Sequence, residues 1–283
     1  MSAVLFACAS LSVLVTFAIV YILISESWTF FQQVSILTFL TDTQWTPVFA
    51  NPRYGILPLL AATLWVAGIA LVIAIPLGTV LAIYLSEYAP PAVRETIKPF
   101  LELLEAVPTV VYGYFALLFL TPILQAFIPG LRGFNLLVPG FVMGIMILPY
   151  VVSVSEDAMR AVPAALREGA YALGMTRFQA GVRVVVPGAL SGITAAYILG
   201  MSRAVGETMV VAIAAGQNPN LTADPREGGA TITAYIVQMS LGDLPHGSLA
   251  YQTIFAAGLT LFALTLLFNI AGFYLRRLFR EVY

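Results

Sequence analysis

Charge is what this 283-residue chain has least of: 13 Lys and Arg with 14 Asp and Glu make up 10% of it, against about 25% in an average soluble domain. The two signs nearly cancel, leaving −1, so there is no basic field of the kind that holds nucleic acid. One cysteine, Cys8, excludes an intrachain disulfide and a cysteine metal cluster; on an apolar stretch it reads as an inert thiol. One histidine, His246, has only Asp243 near it in sequence, a weak basis for a metal site. The single lysine, Lys98, follows no glycine loop, and Gly-x4-Gly-Lys-Ser/Thr does not occur, so no nucleotide site is expected in this chain. What is there instead is hydrocarbon. Of the residues 60% are hydrophobic and mean hydropathy is +0.94, which excludes a soluble enzyme, a secreted disulfide scaffold and a disordered chain together. The fold class is an all-α polytopic membrane protein.

The few charges act as punctuation. A helix needs about 20 apolar residues to cross the hydrocarbon core, and windows of that length run from Ser2 to Ser25, Tyr54 to Ser86, Ala106 to Leu131, Gly133 to Ser155 and Leu244 up to Arg276. A sixth, Val184 to Gly216, is interrupted by Arg203 and Glu207. Six transmembrane helices are expected, near 3–24, 57–85, 101–124, 136–155, 188–214 and 251–274. The first window has no Lys or Arg before it and outruns the roughly 7–15 apolar residues of a signal peptide, so it reads as an anchor. The organisation expected is a first span in 1–25, a periplasmic interfacial segment over 26–56, a transmembrane domain over 57–275 holding a cytoplasmic loop at 156–187, and a tail over 276–283. Arg94, Lys98, Arg160, Arg167, Arg177, Arg183, Arg276, Arg277 and Arg280 fall on one side, while Arg53, Arg132 and Arg226 fall on the other. The positive-inside rule then puts both termini in the cytoplasm. Trp28, Phe30, Phe31, Phe39 and Trp45 crowd the first outer stretch. Two readings stay open for them: an aromatic belt at the headgroups, or a loop covering the bundle.

The loop between the fourth and fifth spans carries the densest set of local signals. Pro163 suits a first helical turn, where its missing N–H costs nothing. Gly174 suits a left-handed helix terminus, and Thr176 with Gln179 has the spacing of a capping box. These predict a short helix over 164–173, a glycine corner and a second short helix leading into the membrane, a compact element suited to being pushed by a partner. Inside the fifth span, Arg203 and Glu207 stand four apart and so share a helix face. An intramembrane charge costs about 2.5–3.5 kcal/mol on insertion scales and is usually functional or paired. The expectation is an ion pair that leaves a guanidinium to offer an oxyanion through its planar fork; the alternative, a salt bridge fastening this helix to a neighbour, is compatible with it. Gly192, Ala196, Gly200, Ala204, Thr208, Ala212 and Gly216 recur every fourth residue, a small-residue stripe that lets another helix approach closely. Pro108 should kink the third span and turn the Thr109 and Tyr112 hydroxyls towards a pore. Pro76, Pro122, Pro139 and Pro149 read as ordinary bends, and Glu102 and Glu105 as interfacial.

At Glu168-Gly169-Ala170, Gly174 and Val184-Val185-Val186-Pro187, the chain resembles the permease subunits of importer-type ABC transporters, whose loop reads Glu-Ala-Ala, three residues, Gly, nine residues, Ile-x-Leu-Pro. All spacings are kept; Gly169 replaces an alanine, and valines replace Ile and Leu. The resemblance implies a type I (MetI-like) permease fold, with Glu168, Gly169, Ala170, Gly174 and Arg177 on a coupling helix seated against an ATPase subunit. Arg203-Ala-Val-Gly-Glu-Thr-Met-Val-Val211 is similar to the signature of the PstC kind of phosphate permease. Val107-Pro-Thr-Val-Val-Tyr-Gly113 and Gly229-Ala-Thr-Ile232 add to it, so that the resemblance runs from about residue 30 to the C-terminus. It implies a phosphate importer built with a PstA-like second permease, a PstB-like ATPase pair that uses ATP and Mg, and a PstS-like external binding protein. It also implies Arg203, Glu207, Thr208, Thr109 and Tyr112 as the substrate pathway. Other readings open at this stage are a homodimeric sulfate, molybdate or tungstate permease, an ion-coupled secondary transporter working alone, and a membrane scaffold or sensor without transport.

Overall fold

A computed structural model describes residues 2–278, which are helical apart from loops and one isolated bridge between Trp45 and Tyr54. In chain order, α1 is Ser2–Phe31 and α2 is Ile36–Thr41. Helix α3, Leu57–Ile83, ends in a π-helical turn, Tyr84–Tyr88, and α4 is Pro91–Ala106. Next, α5, Thr109–Tyr114, runs through a π turn, Phe115–Leu120, into α6, Thr121–Gln125. Helix α7 is Leu137–Arg160. Then α8, Ala164–Ala172, and α9, Arg177–Ala180, are joined through the π turn Gly181–Val185 to α10, Val186–Gly188. The chain finishes with α11, Leu190–Gly206, α12, Met209–Ala214, α13, Ile232–Ser240, and α14, Leu249–Leu278. Arg280 and the rest of the expected tail beyond 278 lie outside the described residues.

Four helices are long and apolar enough to span a membrane: α1, α3 with its π turn, α7 and α14. The other two expected spans are bent pairs, α4 with Thr109–Gln125 at 84° and Arg177–Gly188 with α11 at 71°, which makes six if each pair counts once. Two boundaries therefore need correction. The third span does not run unbroken over 101–124 with a kink at Pro108. Val107 and Pro108 are extended, at ψ 128° and 134°, because the proline ring forces its predecessor out of the helical region. Helix α4 is consequently a separate amphipathic piece carrying Arg94, Glu95, Lys98, Glu102 and Glu105. Nor is the fifth span continuous over 188–214, since it stops at Gly206 and resumes at Met209.

The centre is the α3–α7 pair, packed along its length with α11 against α7. Backbones approach there because side chains are missing. A Cβ on Gly78 would lie 2.6 Å from Val151, and one on Gly140 or Gly144 would lie 2.9 Å from Ile69 or Ile73. In lipid, where apolar burial gives helices little reason to associate, such close van der Waals packing is what holds spans together. The small-residue stripe does the same for α11. Ala196 and Ala204 are buried, and added Cβ atoms on Gly192 and Gly200 would meet Ala158 and Ile147. Past Gly206 the stripe loses its register with the helix. The largely exposed α1 leans on α14, and α14 on α11.

At the end of the bundle opposite the basic loops, the aromatic stretch decides between its two readings. Helix α1 extends to Phe31, and Phe30, Phe39, Trp45 and Tyr235 are buried in an edge-to-face series with centroids 5.8, 6.1 and 5.1 Å apart. These rings form a plug over α13 and α14; only Trp28, at 68% exposure, faces outward as a belt residue would.

Candidate functional site

The break between α11 and α12 is the most heavily built feature inside the spans. Glu207 leaves the helix with φ −67° and ψ 135°, which strands carbonyl groups that lipid cannot satisfy. Thr233 repairs one of them, donating its hydroxyl to the Glu207 carbonyl oxygen at 2.7 Å. Helix α13 is positioned for this by its own start: Thr231 caps the Ala234 N–H, and the Thr63 hydroxyl accepts from the Ile232 N–H at 3.0 Å. The Gly229-Ala-Thr-Ile232 segment thus acts as the brace of the break. The Glu207 side chain folds back on the restart, with Oε1 accepting from the Met209 N–H at 3.2 Å, and it is buried. The Thr208 hydroxyl donates to the Gly206 carbonyl oxygen at 3.3 Å.

This geometry removes the expected Arg203–Glu207 ion pair: no carboxylate oxygen lies within 4.0 Å of the Arg203 guanidinium among the described residues. The i,i+4 alignment holds only while the helix continues, and it ends between the two residues. Arg203 instead lays its guanidinium over the Tyr150 ring of α7, 4.7 Å from the centroid. Such a contact contributes about 0.5–2 kcal/mol depending on desolvation. The Arg203 Nε is buried and has no hydrogen-bond partner. Glu105, at the end of α4, and Glu207 both lie close enough to act on the Tyr150 hydroxyl. Arg203 of α11 and Tyr150 of α7 therefore meet beside the break, with Glu207 at its start and Glu105 at the end of α4.

The Pro108 region contributes differently from expectation. The Tyr112 hydroxyl donates to the Leu104 carbonyl oxygen at 2.6 Å, and Tyr112 is buried. That carbonyl is one of those left over where α4 stops, so Tyr112 is a splint for the Pro108 break. Thr109 opens α5, half-buried. The rod that follows rests on α12, with Gly113 against Ile213 and the Met209 carbonyl oxygen.

The second site is the loop after α7. The short helix, glycine corner and second short helix are all present. Gly174 sits at φ +81°, and both arms of the Thr176–Gln179 capping box are made. Glu168, Gly169, Gly174 and Arg177 are exposed, whereas Ala170 is buried and packs the element down. Around them Tyr171, Leu173 and Phe178 are exposed, Leu173 at 82%. Large apolar side chains facing outward beside exposed charges, at the basic end of the bundle, are the composition of a docking face. Arg167 and Glu87 were not singled out from sequence, yet they join at 3.2 Å with the Glu87 carboxylate almost wholly buried. Lys98 of α4 also pairs with the fully buried Glu156 of α7. Tyr150, Thr233, Arg167 and Glu87 were missed because partners far apart in sequence leave no spacing signal.

Residues 74–281 match the family described as binding-protein-dependent transport system inner membrane component. A probable ABC transporter permease protein of Bacillus subtilis, YqgH, is 38% identical over 83% of this chain and 76% of its own length. The phosphate transport system permease proteins PstC of Mesorhizobium japonicum and Haemophilus influenzae are each 34% identical, over 85% and 81% of this chain and 79% and 77% of their own. Among solved structures, a bacterial ABC transporter involved in import of the acidic polysaccharide alginate is similar with TM-score 0.69 at 16% identity, covering 98% of this chain and 96% of that one. The inward-facing methionine ABC transporter MetNI gives 0.59 at 20% identity, over 80% and 95%. Both share the fold.

Proposed function

The chain belongs to the binding-protein-dependent transport system inner membrane components, and on that premise we propose that it is one permease subunit of an ATP-driven phosphate importer. It forms half of the translocation pathway, beside a second, PstA-like permease. A PstS-like external binding protein delivers phosphate at the plugged end, and a PstB-like ATPase pair, which holds ATP and Mg, docks on the 164–186 element. This chain itself supplies no nucleotide site. Both termini are assigned to the cytoplasm, a reading that the nine-to-three distribution of Lys and Arg supports.

The observation that carries the anion reading is Arg203, an arginine inside a broken span with no carboxylate oxygen within 4.0 Å among the described residues and an aromatic face beneath it. The planar fork of a guanidinium matches the spacing of tetrahedral oxyanion oxygens. Tyr150 holds its plane without neutralising it. The similarity to phosphate permeases supports phosphate as the anion.

The test is ATP-dependent uptake into vesicles carrying the assembled importer and binding protein, with phosphate compared against sulfate and molybdate. Phosphate alone should accumulate. Arg203→Gln should abolish uptake while the subunits still co-purify. Uptake by this chain without an ATPase would refute the proposal, as would assembly lost in parallel with uptake in Arg203→Gln.

A further inference from the structure

The coupling element presents a mechanical problem. Helix α8 has nine residues, of which only Ala170 is buried, so apolar packing alone holds it weakly to the spans it has to move. Its one strong attachment is Arg167. The Arg167 Nη1 donates to the Val162 carbonyl oxygen at 2.6 Å and Nη2 to the Met159 carbonyl oxygen at 2.7 Å. Nε and Nη2 reach the two oxygens of Glu87 at 3.4 and 3.2 Å. The carboxylate is itself fixed, since the Ser86 hydroxyl donates to its Oε1 at 2.8 Å and Gly181 of the returning chain lies against its Cγ. Glu87 belongs to the π turn that ends α3, while Met159 lies in the last turn of α7, its carbonyl oxygen also accepting the Val162 N–H at 3.2 Å, and Val162 follows just beyond that helix. One guanidinium therefore ties α8 to the ends of both members of the central helix pair.

We propose that Arg167 is the positioning residue through which movement of the coupling helix reaches the anion site, with Glu87 as its anchor; this rests on the reading of 164–186 as the ATPase-docking face. The route has defined parts. Met159, gripped by Arg167, and Tyr150, lying under Arg203, are on the same piece of α7, on the same side of Pro149. Nine residues of helix separate them by about 13 Å, and no glycine or proline interrupts that stretch. A displacement of α8 is thereby delivered to the ring on which Arg203 rests. The alternative path along the chain, through the π turn and the 71° bend into α11, is the softer one. Four of the five N–H donors of the planar fork make these contacts at once; a lysine, with one ammonium, cannot hold two carbonyls and a carboxylate in that arrangement.

The test uses the complete importer with its binding protein in proteoliposomes and reads phosphate taken up per ATP hydrolysed, together with recovery of the ATPase on purification. In Arg167→Met and Arg167→Lys the ATPase should still co-purify and hydrolyse ATP, while uptake per ATP falls roughly tenfold, within the usual range of coupling between sites. Glu87→Gln, which keeps both carbonyl contacts, should lose less. An unchanged ratio in Arg167→Met would overturn the inference. So would loss of uptake strictly in step with loss of the complex, in Arg167→Met and the milder Glu87→Gln alike, because the pair would then only hold the fold. Failure of the unsubstituted complex to take up phosphate would instead strike at the proposed function.

Discussion

Two glycines five residues apart on the coupling element separate the chain's own energetics from those of its partner. Gly174 has φ +81°, and a Cβ built on it finds no atom within 4 Å. Gly174→Ala therefore carries a backbone term only, about 1–2 kcal/mol for an L-residue in the left-handed region. Gly169 lies inside α8 and a Cβ there also meets nothing, so Gly169→Ala should gain roughly 0.8–1.0 kcal/mol in helix propensity. The double variant should come close to balance. Gly174→Trp has the same backbone cost as Gly174→Ala, and its ring projects from a corner where the chain itself offers no obstruction. Whatever Trp loses beyond Ala must then come from something seated over that corner. The measurements are hydrogen exchange across 164–180, which reads the local stability, and the uptake and ATP hydrolysis of the assembled importer. Protection should fall in both Gly174 variants alike and recover in Gly169→Ala/Gly174→Ala, while uptake should collapse only in Gly174→Trp. Equal uptake in Gly174→Trp and Gly174→Ala would refute the claim that this corner is a docking surface.

Gly144→Leu should prevent a stable complex, because its Cβ would already stand 2.9 Å from Ile73 and 3.1 Å from the Ala70 carbonyl oxygen; recovery of folded protein by size-exclusion chromatography checks it. Trp45→Ala, which empties the centre of the aromatic plug, should cost about 3–5 kcal/mol, seen as a lowered Tm of the purified complex. In the loop before α13, Arg226 beside Asp224 holds the carboxyl down to about 2. Because that value is lowered, the pair is fully formed above the ordinary carboxylate range and is lost only as pH falls through about 2. The Asp224 carboxyl carbon shift should accordingly stay flat across the region near pH 4, where a free Asp titrates.

The spans and the coupling element were legible because their signals are local. Apolar length marks a span, and a glycine at a corner or a Thr-x-x-Gln box acts within a single turn. The breaks were not legible, because an apolar average taken over a whole span does not register a change of backbone direction at Val107–Pro108 or at Gly206–Thr208. The ion pair expected from the spacing of Arg203 and Glu207 failed for the same reason. The Gly140-x3-Gly144 spacing did carry the α3–α7 contact and could have been read as a close-approach motif. The aromatic stretch could not have been resolved from composition, since a ring suited to headgroups is equally suited to a protein plug; the position of Tyr235 decided it.

Arg203 without an ion pair has a consequence for which anion the site accepts. On the proposed anion site, a guanidinium inside a span costs about 2.5–3.5 kcal/mol, and the Tyr150 face returns only part of that, so an arriving anion would relieve the remainder. The carboxylate nearest in sequence, Glu207, has Oε1 committed to the Met209 N–H, while Oε2 makes no hydrogen bond within the described chain. A free carboxylate oxygen can only accept. Phosphate near neutral pH keeps a proton to donate, whereas sulfate has none and meets only repulsion. Glu207→Gln keeps the size of the side chain, removes the charge and adds a donor, so it should narrow the preference. A hydrogen bond to a charged group is worth about 1.5–3 kcal/mol, which corresponds to a loss of tenfold or more in the ratio of phosphate to sulfate affinities. The assay is ligand-induced thermal stabilisation of the complex without its binding protein and with the nucleotide sites filled, so that neither contributes its own selectivity. Phosphate should stabilise the unsubstituted complex far more than sulfate does, and the two should converge in Glu207→Gln. A gap that survives the substitution would remove Glu207 from the selection step and leave Glu105 as the carboxylate to test.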